Sequence, residues 1–544
     1  MLLNQSLNQS IDQLERLNAI GVALSAEQNT NRLLEIILLG AQELTHADGG
    51  TLYTLHEQSL KFEILRNTTL NIAMGGTTAQ PIPFAPLPLY LDNGAPNLNM
   101  VAAHCAIQQT TINIEDAYSP EQGFDFSGTR AFDERTGYHS QSFLTVPMRN
   151  HENEVIGVLQ LINAKDPETQ SIIPFSDSHQ RLVESLASQA AIALSNHRLI
   201  EGLKSLFESF IKLIADAIDE KSPYTGGHCQ RVPVLTMMLA EAAIQSQHPT
   251  FKDFHLNAQE LYELKIAAWL HDCGKVTTPE SIMDKATKLE TIFDRIHLID
   301  ERFELLKSQR EANHLRKVIE LQTKGKTINP KHLAHEINVI KKQLDDDKNF
   351  IRKVNYGSES MSPDDQARVR AIANYQYQNE AGQSVKFLSD DETYNLTIPK
   401  GTLTPEERQI INNHIVVTIN MLESLPYPKG LRRVPEYAGG HHERMDGTGY
   451  PKGLTREQMS IPARMMGVAD IFEALTSKDR PYKKAKTLSD TLNILGNMKL
   501  NQHIDADVFD LFIREKIYLR YAEMFLDPEQ IDAIDESKII GYTL

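Results

Sequence analysis

Two adjacent histidines, His441-His442, stand in a glycine-rich run of the sequence that is closed by a proline. Paired imidazoles in such a run are poor core material, but they are common metal ligands. His271-Asp272 end an apolar stretch far upstream, and Asp470 lies within the apolar residues 468–472. Nitrogen and carboxylate ligands thus recur in three separate segments. We expect the fold to bring these segments together in a two-metal hydrolase site.

Length and charge limit the kinds of protein this chain can be. Its 544 residues suggest about three or four domain-sized units, and two domains with insertions also fit. The 55 basic and 72 acidic residues give a net charge of −17, which argues against broad contact with DNA or RNA. A small anionic ligand is still compatible with a local cluster of Lys and Arg.

The sequence predicts a cytoplasmic protein without a membrane partner. Its first residues lack the basic and apolar regions of a secretory signal, and no segment approaches the ~20 apolar residues that span a bilayer. Cys105, Cys229 and Cys273 are few and far apart, which favours reduced thiols. For Cys229 and Cys273, which adjoin predicted ligands, we favour small core residues over thiolate ligands, because helix neighbours point about 100° apart.

The first 165 residues show an α+β pattern. Residues 14–42 have helical periodicity, and four later segments alternate as strands do. The alternating segments are residues 50–55, 62–65, 143–148 and 155–163, the last two joined by a turn at 151–154. We therefore predict an α+β domain built on an antiparallel sheet.

Residues 178–221 contain no proline and carry apolar residues at helical spacing. This predicts one long amphipathic helix, or two in series, that joins the first domain to the next. A parallel coiled-coil homodimer is one role for this helix. Because the heptad pattern is imperfect, packing on the sheet is the alternative.

An ordered set of motifs in residues 205–544 resembles the HD-GYP family. The motifs are Tyr224-Thr225 with His228 and Arg231-Val232, His271-Asp272-Cys273-Gly274-Lys275, His441-His442 with Gly449-Tyr450-Pro451, and Arg480-Pro481-Tyr482. The resemblance implies an all-α HD fold and a phosphodiesterase site with two or three metal ions. It also implies a cyclic dinucleotide substrate, chiefly cyclic di-GMP.

The resemblance also implies a ligand set, in which Asp272 bridges two ions. One ion is expected on His228, His271, Asp272 and Asp470, and the other on Asp272, His414, His441 and His442. Asp470 is favoured on physical grounds too, because a carboxylate among apolar neighbours would be buried and would need a compensating partner.

Four further residues are expected to contact the substrate. Lys275 lies three residues after Asp272, so its ammonium group can reach a phosphate bound at the metals. Arg480 and Lys483 are similar to basic residues of the family that contact phosphate or guanine, although their spacing differs by one residue. Tyr450 belongs either to a turn that orients the paired histidines, or to a substrate lip or a contact for a diguanylate cyclase.

The metal count follows from one departure from the family. Members with three metals carry Glu four residues before the first histidine ligand, and Tyr224 stands there in this chain. A phenol is a poor bridging ligand at neutral pH. We therefore expect two divalent ions, with iron or manganese favoured and nickel or zinc also compatible with the ligands.

The hairpin of residues 143–163 and its surroundings resemble a GAF domain, most closely the cyclic-nucleotide-binding GAF domains of phosphodiesterases. The surrounding residues are Asp125, Asp133-Glu134, Thr136-Gly137-Tyr138, Ser140-Gln141-Ser142, Phe175 and Asp177. The ligand pattern is only partly present, since Asn113 is followed by Ile114. A small-molecule ligand such as a cyclic nucleotide and a packed dimerisation module without a ligand are both compatible with this pattern.

The domain boundaries follow from these patterns. We expect a GAF domain at residues 12–198, a helical linker at 199–222 and an HD-GYP domain at 223–544. Apolar residues at helical spacing between 291 and 355 predict a helical hairpin within an insertion at about 291–400. Its charged faces are either solvated surface or a contact for a partner.

The expected function is a phosphodiesterase that converts cyclic di-GMP to the linear dinucleotide, and slowly on to GMP, under control of the GAF domain. Hydrolysis of 3′,3′-cyclic GMP-AMP is an alternative that the sequence does not separate. A non-catalytic cyclic dinucleotide receptor is the third possibility, and the intact ligand set argues against it.

Overall fold

The computed structural model describes residues 2–119, 123–221, 227–325, 329–357, 360–477 and 486–543. The chain divides into two compact units, Met1–Phe207 and Glu208–Leu544. Three residues singled out in the sequence, Tyr224, Arg480 and Lys483, lie outside the described residues.

The first unit is built on one antiparallel sheet. Its strands are β1 (Ala47–His56), β2 (Ser59–Asn67), β3 (Ile72–Gly75), β4 (Leu87–Pro88), β5 (Ile112–Ile114), β6 (Phe143–Arg149), β7 (Val155–Lys165) and β8 (Ile172–Ile173). They pair in the order β3-β2-β1-β7-β6-β5, with β4 added to β2 and β8 to β7. The four predicted strands are β1, β2, β6 and β7, and the predicted α+β class is confirmed.

Helices cover this sheet and complete its core. They are α1 (Leu2–Ala26), α2 (Thr30–Thr45), α3 (Val101–Gln108), α4 (Ser127–Thr136) and the first part of α5 (Asp177–Lys221). The helical stretch predicted at 14–42 is divided because Asn29 caps α2, where its side chain accepts from the amide of Arg32. Buried Leu38, Leu159 and Leu186 join α2, β7 and α5 in one core.

Helix α5 is a single helix of 45 residues with two kinds of surface. Its first part packs into the sheet core through Val183, Leu186 and Ala190, so the packing alternative holds for this part. Further along, a row of apolar side chains at intervals of three and four is more than half exposed. The row consists of Leu199, Leu203, Leu206, Phe210 and Leu213. Such spacing is typical of a coiled-coil seam.

The second unit is mostly helical. Its helices are α6 (His228–Gln245), α7 (Ala258–Leu270), α8 (Glu280–Met283), α9 (Ile296–Thr323), α10 (Pro330–Asn355), α11 (Pro363–Ala373), α12 (Asp390–Leu396), α13 (Pro405–Asn412), α14 (His414–Glu423), α15 (Val434–Gly439), α16 (Ile461–Thr476), α17 (Leu488–Leu500), α18 (Ala506–Arg514) and α19 (Ile517–Phe525). A short hairpin, β9 (Gln376–Gln378) with β10 (Ser384–Lys386), interrupts them. In the described part of the chain no helix is both long and apolar enough to cross a bilayer.

The predicted insertion forms a subdomain with a core of its own. Helices α9 and α10 pair as the expected hairpin, and the Arg352 guanidinium contacts Asp300 at 2.8 Å across them. Phe303 and Ile351 of the hairpin pack with Phe387 in a core whose buried residues run from Leu289 to Leu396. The insertion is therefore held together by its own packing. It separates α7 from α13 in sequence and is not part of the metal centre.

Candidate metal centre

The predicted ligands lie mostly at the ends of helices. His228 is the first residue of α6, and His271 directly follows α7. His414 begins α14 immediately after α13, and His441-His442 follow α15. Asp470 is the exception, because it lies inside α16. The helix packing thus collects side chains from distant parts of the sequence in one place.

Three of these histidines are oriented by carbonyl groups at helix ends. In each, Nδ1 lies within hydrogen-bond distance of the carbonyl oxygen three residues earlier. The pairs are His271 with Ala268 at 2.7 Å, His414 with Ile411 at 2.6 Å and His441 with Ala438 at 2.7 Å. Because a carbonyl can only accept, Nδ1 carries a proton, and Nε2 is the nitrogen that can bind a metal once the ring is neutral. For His271 and His441 the same bond satisfies a carbonyl of the last helical turn.

Among the described residues, the ligand atoms form two clusters that share Asp272. The first comprises His228, His271, Asp272 and Asp470, and the second Asp272, His414, His441 and His442. Within each cluster the ligand atoms lie within 4.8 Å of one another. These seven residues are the predicted ligand set, and the fold brings all of them together.

The two oxygens of Asp272 face different clusters. Oδ2 lies 3.4 Å from Nε2 of His228 and 3.2 Å from Nε2 of His271. Oδ1 lies 3.2 Å from Nε2 of His414 and 4.0 Å from Nε2 of His441. This division between the oxygens is the geometry of a bridging carboxylate.

Two buried atoms at the centre indicate that the residues fit metal ions. Asp272 is 1% exposed and His441 3% exposed. Oδ1 of Asp272 and Nε2 of His441 have no hydrogen-bond partner in the described part of the chain. A buried polar atom left unpaired costs about 1–3 kcal/mol, and more when it is charged. A cation between this carboxylate oxygen and this imidazole nitrogen would satisfy both.

The protonation state of two histidines in the second cluster suits the binding of a cation. Burial is the main reason why the pKa of His442 falls to about 4. Burial and the neighbouring His442 and His271 hold the pKa of His441 well below its usual value. Both imidazoles are therefore neutral at pH 7, which is the form that binds metals.

The first cluster holds protons where its metal would bind. Burial opposes a charge on His271, but the adjacent Asp272 carboxylate raises its pKa to about 9. Burial also opposes a charge on His228, while the carboxylates of Glu473, Asp272 and Asp470 raise its pKa well above the usual value. A metal entering this cluster has to displace these protons.

Glu473 supports the first cluster, and the sequence reasoning missed it. This carboxylate is 1% exposed and accepts from Nδ1 of His228. Its other oxygen accepts from Nε of Arg231 at 2.7 Å. The bond to Nδ1 leaves Nε2 of His228 to a metal, as a second-shell carboxylate does. The sequence feature that could have identified Glu473 is its position three residues after Asp470, on the same face of a helix.

Lys275 lies beside the bridging carboxylate. Its Nζ is 2.6 Å from Oδ2 of Asp272. Burial opposes the charge on this lysine, but Asp272 raises its pKa. The ammonium group thus lies within the metal centre, and Lys275 also lines the cavity into which the centre opens. Lys275 is placed to contact an anion at the metals, and it also compensates the charge of Asp272.

The loop after the paired histidines folds back on them. The ring of Tyr450 stacks on His442 with 4.9 Å between ring centres. The buried carboxylate of Glu443 accepts from the amides of Lys452 and Leu454 at 2.8 and 2.9 Å. At Gly449 any side chain would collide with the backbone of Glu443, 2.5 Å away. These contacts support the predicted role of the loop in orienting the histidines.

The metal clusters open into a cavity of about 720 Å³. This volume lies within the range of ordinary ligand sites, about 300–1,000 Å³. Its lining includes the ligands His228, Asp272, His441, His442 and Asp470, and also Lys275, Arg408, Asn412, Arg444, Thr448, Tyr450, Glu473 and His503. Of the predicted substrate contacts, Lys275 and Tyr450 therefore face the cavity. Arg408, Asn412 and Arg444 had been given no role.

Two families match the sequence. Residues 29–194 match the GAF domain, and residues 386–508 match the HD domain. The second match contains His414, His441, His442 and Asp470, whereas His228 and His271-Asp272 precede it. It begins inside the insertion, whose helices α9 and α10 separate the two groups of ligands.

Curated relatives match parts of the chain and are much longer than the matched part. A 3′3′-cGAMP-specific phosphodiesterase of Vibrio cholerae is 42% identical over 81 residues, 15% of this chain and 19% of its own length. A cyclic di-GMP phosphodiesterase of Pseudomonas aeruginosa is 39% identical over 114 residues, 21% and 26%. Another, of Thermotoga maritima, is 33% identical over 131 residues, 22% and 35%. The chain thus spans about a fifth to a third of these relatives.

The fold and the site define a two-domain protein, in which an α+β module precedes a helical domain with a centre for divalent metal ions. In this chain a match to the GAF domain is followed by a match to the HD domain, in the order that the sequence predicts.

Replacing Glu473 by Gln should weaken metal binding. An amide has a single acceptor oxygen, so it cannot accept from both His228 and Arg231, and the orientation of His228 is fixed less well. Loss of such a partner typically lowers metal affinity about 10- to 100-fold. Competition with a chelator would measure this. The exposed Glu423→Gln on α14 is the matched control, and equal affinity in both variants would contradict the role of Glu473.

Replacing Gly274 by Ala should disturb the bridge. A Cβ here would lie 2.0 Å from the carbonyl oxygen of His414 and 2.6 Å from the amide nitrogen of Thr418. The turn after Asp272 would have to move away from α14, at a cost of about 1–3 kcal/mol. Thermal unfolding and metal content should both fall. Gly202→Ala, inside α5 where nothing lies within 4 Å, should lower neither. An unaltered metal content in Gly274→Ala would refute the packing argument.

Proposed function

We propose that this protein is a metal-dependent phosphodiesterase that hydrolyses cyclic di-GMP to the linear dinucleotide. The observation that carries the proposal is Asp272, whose two oxygens face two ligand clusters at the floor of one cavity. Two ions held a bridging distance apart can clamp a phosphodiester and activate water. The names of the relatives support a cyclic dinucleotide as the substrate class.

The proposed mechanism divides the work between the ions and the side chains. Bound divalent ions supply Lewis-acid activation of water and of the phosphodiester. Asp272 and the imidazoles of the two clusters would hold these ions. Lys275 contributes a fixed positive charge beside Asp272 for the phosphate oxygens. Tyr450 keeps the ring of His442 in place by stacking on it.

Hydrolysis of 3′,3′-cyclic GMP-AMP is the second candidate. The reason is that two of the relatives, both from Vibrio cholerae, carry the name 3′3′-cGAMP-specific phosphodiesterase. A non-catalytic receptor fits the site less well, because every predicted ligand is present and in place.

We propose two ions, with iron or manganese favoured over nickel and zinc. The seven ligand residues fall into two clusters, and their nitrogen-rich character with one bridging carboxylate suits iron or manganese. The sequence argument for two ions rather than three rests on Tyr224, which stands where a third ion would need a carboxylate. Tyr224→Phe should accordingly retain both ions.

We propose that the GAF domain regulates the activity and that the protein is a homodimer. The exposed apolar row on α5 supports a contact between two copies of the chain. A cyclic nucleotide is the less favoured GAF ligand, because buried Asp133 already accepts from the Tyr118 hydroxyl and from the amide and hydroxyl of Ser140. A packed module without a ligand fits these bonds better. Tyr450 likewise faces the metal cavity, which favours its orienting role over contact with a diguanylate cyclase.

Purified protein reconstituted with iron or manganese should linearise cyclic di-GMP, and Asp272→Asn should not. The amide keeps the shape but loses the charge and one of the two ligand oxygens that the clusters share. Product analysis on both cyclic dinucleotides and elemental analysis would measure this. Asp345→Asn, in the insertion, is the control. Turnover by Asp272→Asn with two metals still bound would contradict the proposal, and turnover of cyclic GMP-AMP alone would select the second candidate.

A further inference from the structure

Two arginines line the metal cavity without a role in holding the metals. Arg408 lies on α13, six residues before His414, and Arg444 follows the paired histidines by two residues. Both side chains are exposed. Asn412, one helical turn after Arg408, lines the same cavity. Helix α13 thus presents a cation and an amide to the site.

Neither guanidinium group forms an ion pair with an acidic side chain in the parts of the chain that the structure describes. Other arginines near the site are paired. Arg231 contacts Glu473 at 2.7 Å, and Arg456 contacts Asp505 at 2.8 Å. In a chain with a net charge of −17, two arginines without an ion pair at one cavity form a local site for an anion.

The proposed substrate carries a second charged phosphate besides the one that is cleaved. A cyclic dinucleotide carries two phosphodiesters, each with one negative charge. The ions and Lys275 can take the phosphate that is cleaved, but Lys275 is already engaged with Asp272 at 2.6 Å. The remaining phosphate would lie in a cavity that is also lined by the carboxylates of Asp470 and Glu473. Cations that do not hold the metals would stabilise it there.

We propose that Arg408 and Arg444 bind the phosphate that is not being cleaved. The inference rests on the proposed function, since it names how the same site recognises its substrate. Guanidinium groups match phosphate oxygens in a bidentate way and form charge-assisted hydrogen bonds. The pair of arginines therefore distinguishes a ring with two phosphates from a substrate with one.

The test compares two substrates in the metal-loaded full chain. One is the cyclic dinucleotide that the wild type cleaves, and the other is bis(p-nitrophenyl) phosphate, which has a single phosphodiester. Arg408→Ala and Arg444→Ala should each raise KM for the cyclic dinucleotide about tenfold, with little change in kcat. For the single phosphodiester KM should stay within about twofold, because no second phosphate is present to lose its partner.

Two controls sharpen the comparison. Arg432→Ala removes an exposed arginine of the same unit that does not line the cavity, and it should leave both substrates unaffected. Arg408→Lys and Arg444→Lys keep the charge but not the bidentate guanidinium group, and should recover part of the affinity. The salt dependence of KM for the cyclic dinucleotide should weaken in the double alanine variant.

The outcomes separate this inference from the proposed function. A wild type that cleaves only bis(p-nitrophenyl) phosphate, and neither cyclic dinucleotide, overturns the proposed function and this inference with it. A wild type that cleaves a cyclic dinucleotide, with arginine variants of unchanged KM, overturns this inference alone. Equal losses on both substrates would assign the arginines a structural role and would also overturn it.

Discussion

The centre depends on a carboxylate that is removed from water and faced by a cluster of possible metal ligands on each side. Asp272 is 1% exposed, and a buried charge without compensation would cost several kcal/mol. Lys275 and the imidazoles near it hold its pKa well below the usual value, against the effect of burial. Oδ1 nevertheless stays without a hydrogen bond. The rest of the centre is arranged around the two cations that this carboxylate can join.

The unpaired carbonyl groups at the ends of the surrounding helices orient the histidines that are expected to bind the metals. A helix leaves its last carbonyls unpaired, and His271 and His441 each pair one of them through Nδ1 just beyond a helix. The same bond selects the tautomer whose Nε2 can bind a metal. His228 begins a helix and has no such carbonyl, so Glu473 takes this part. Four of the predicted ligands, His228, His271, His414 and His441, are thus oriented through Nδ1 by a group outside the two clusters.

The sequence predicts the parts of this protein that short-range patterns define. Strand alternation locates β6 and β7, and motif order selects the seven residues that the fold brings into two clusters. The sequence patterns do not predict residues whose role depends on tertiary contacts. Glu473 acts through His228, which is 245 residues away in the sequence. Arg408 and Arg444 line the same cavity only after the chain has folded. A side chain that orients another ligand, or that lines a cavity from a distant helix, leaves no local spacing to detect.

Anomalous scattering from crystals of the metal-loaded protein tests the central claim most directly. The account predicts two ions per chain, one on each side of Asp272, with His228, His271 and Asp470 around the first and His414, His441 and His442 around the second. A single ion coordinated by both oxygens of Asp272 would contradict the bridge. A third ion in the unmodified protein would equally contradict the account, because its count depends on Tyr224 not acting as a ligand.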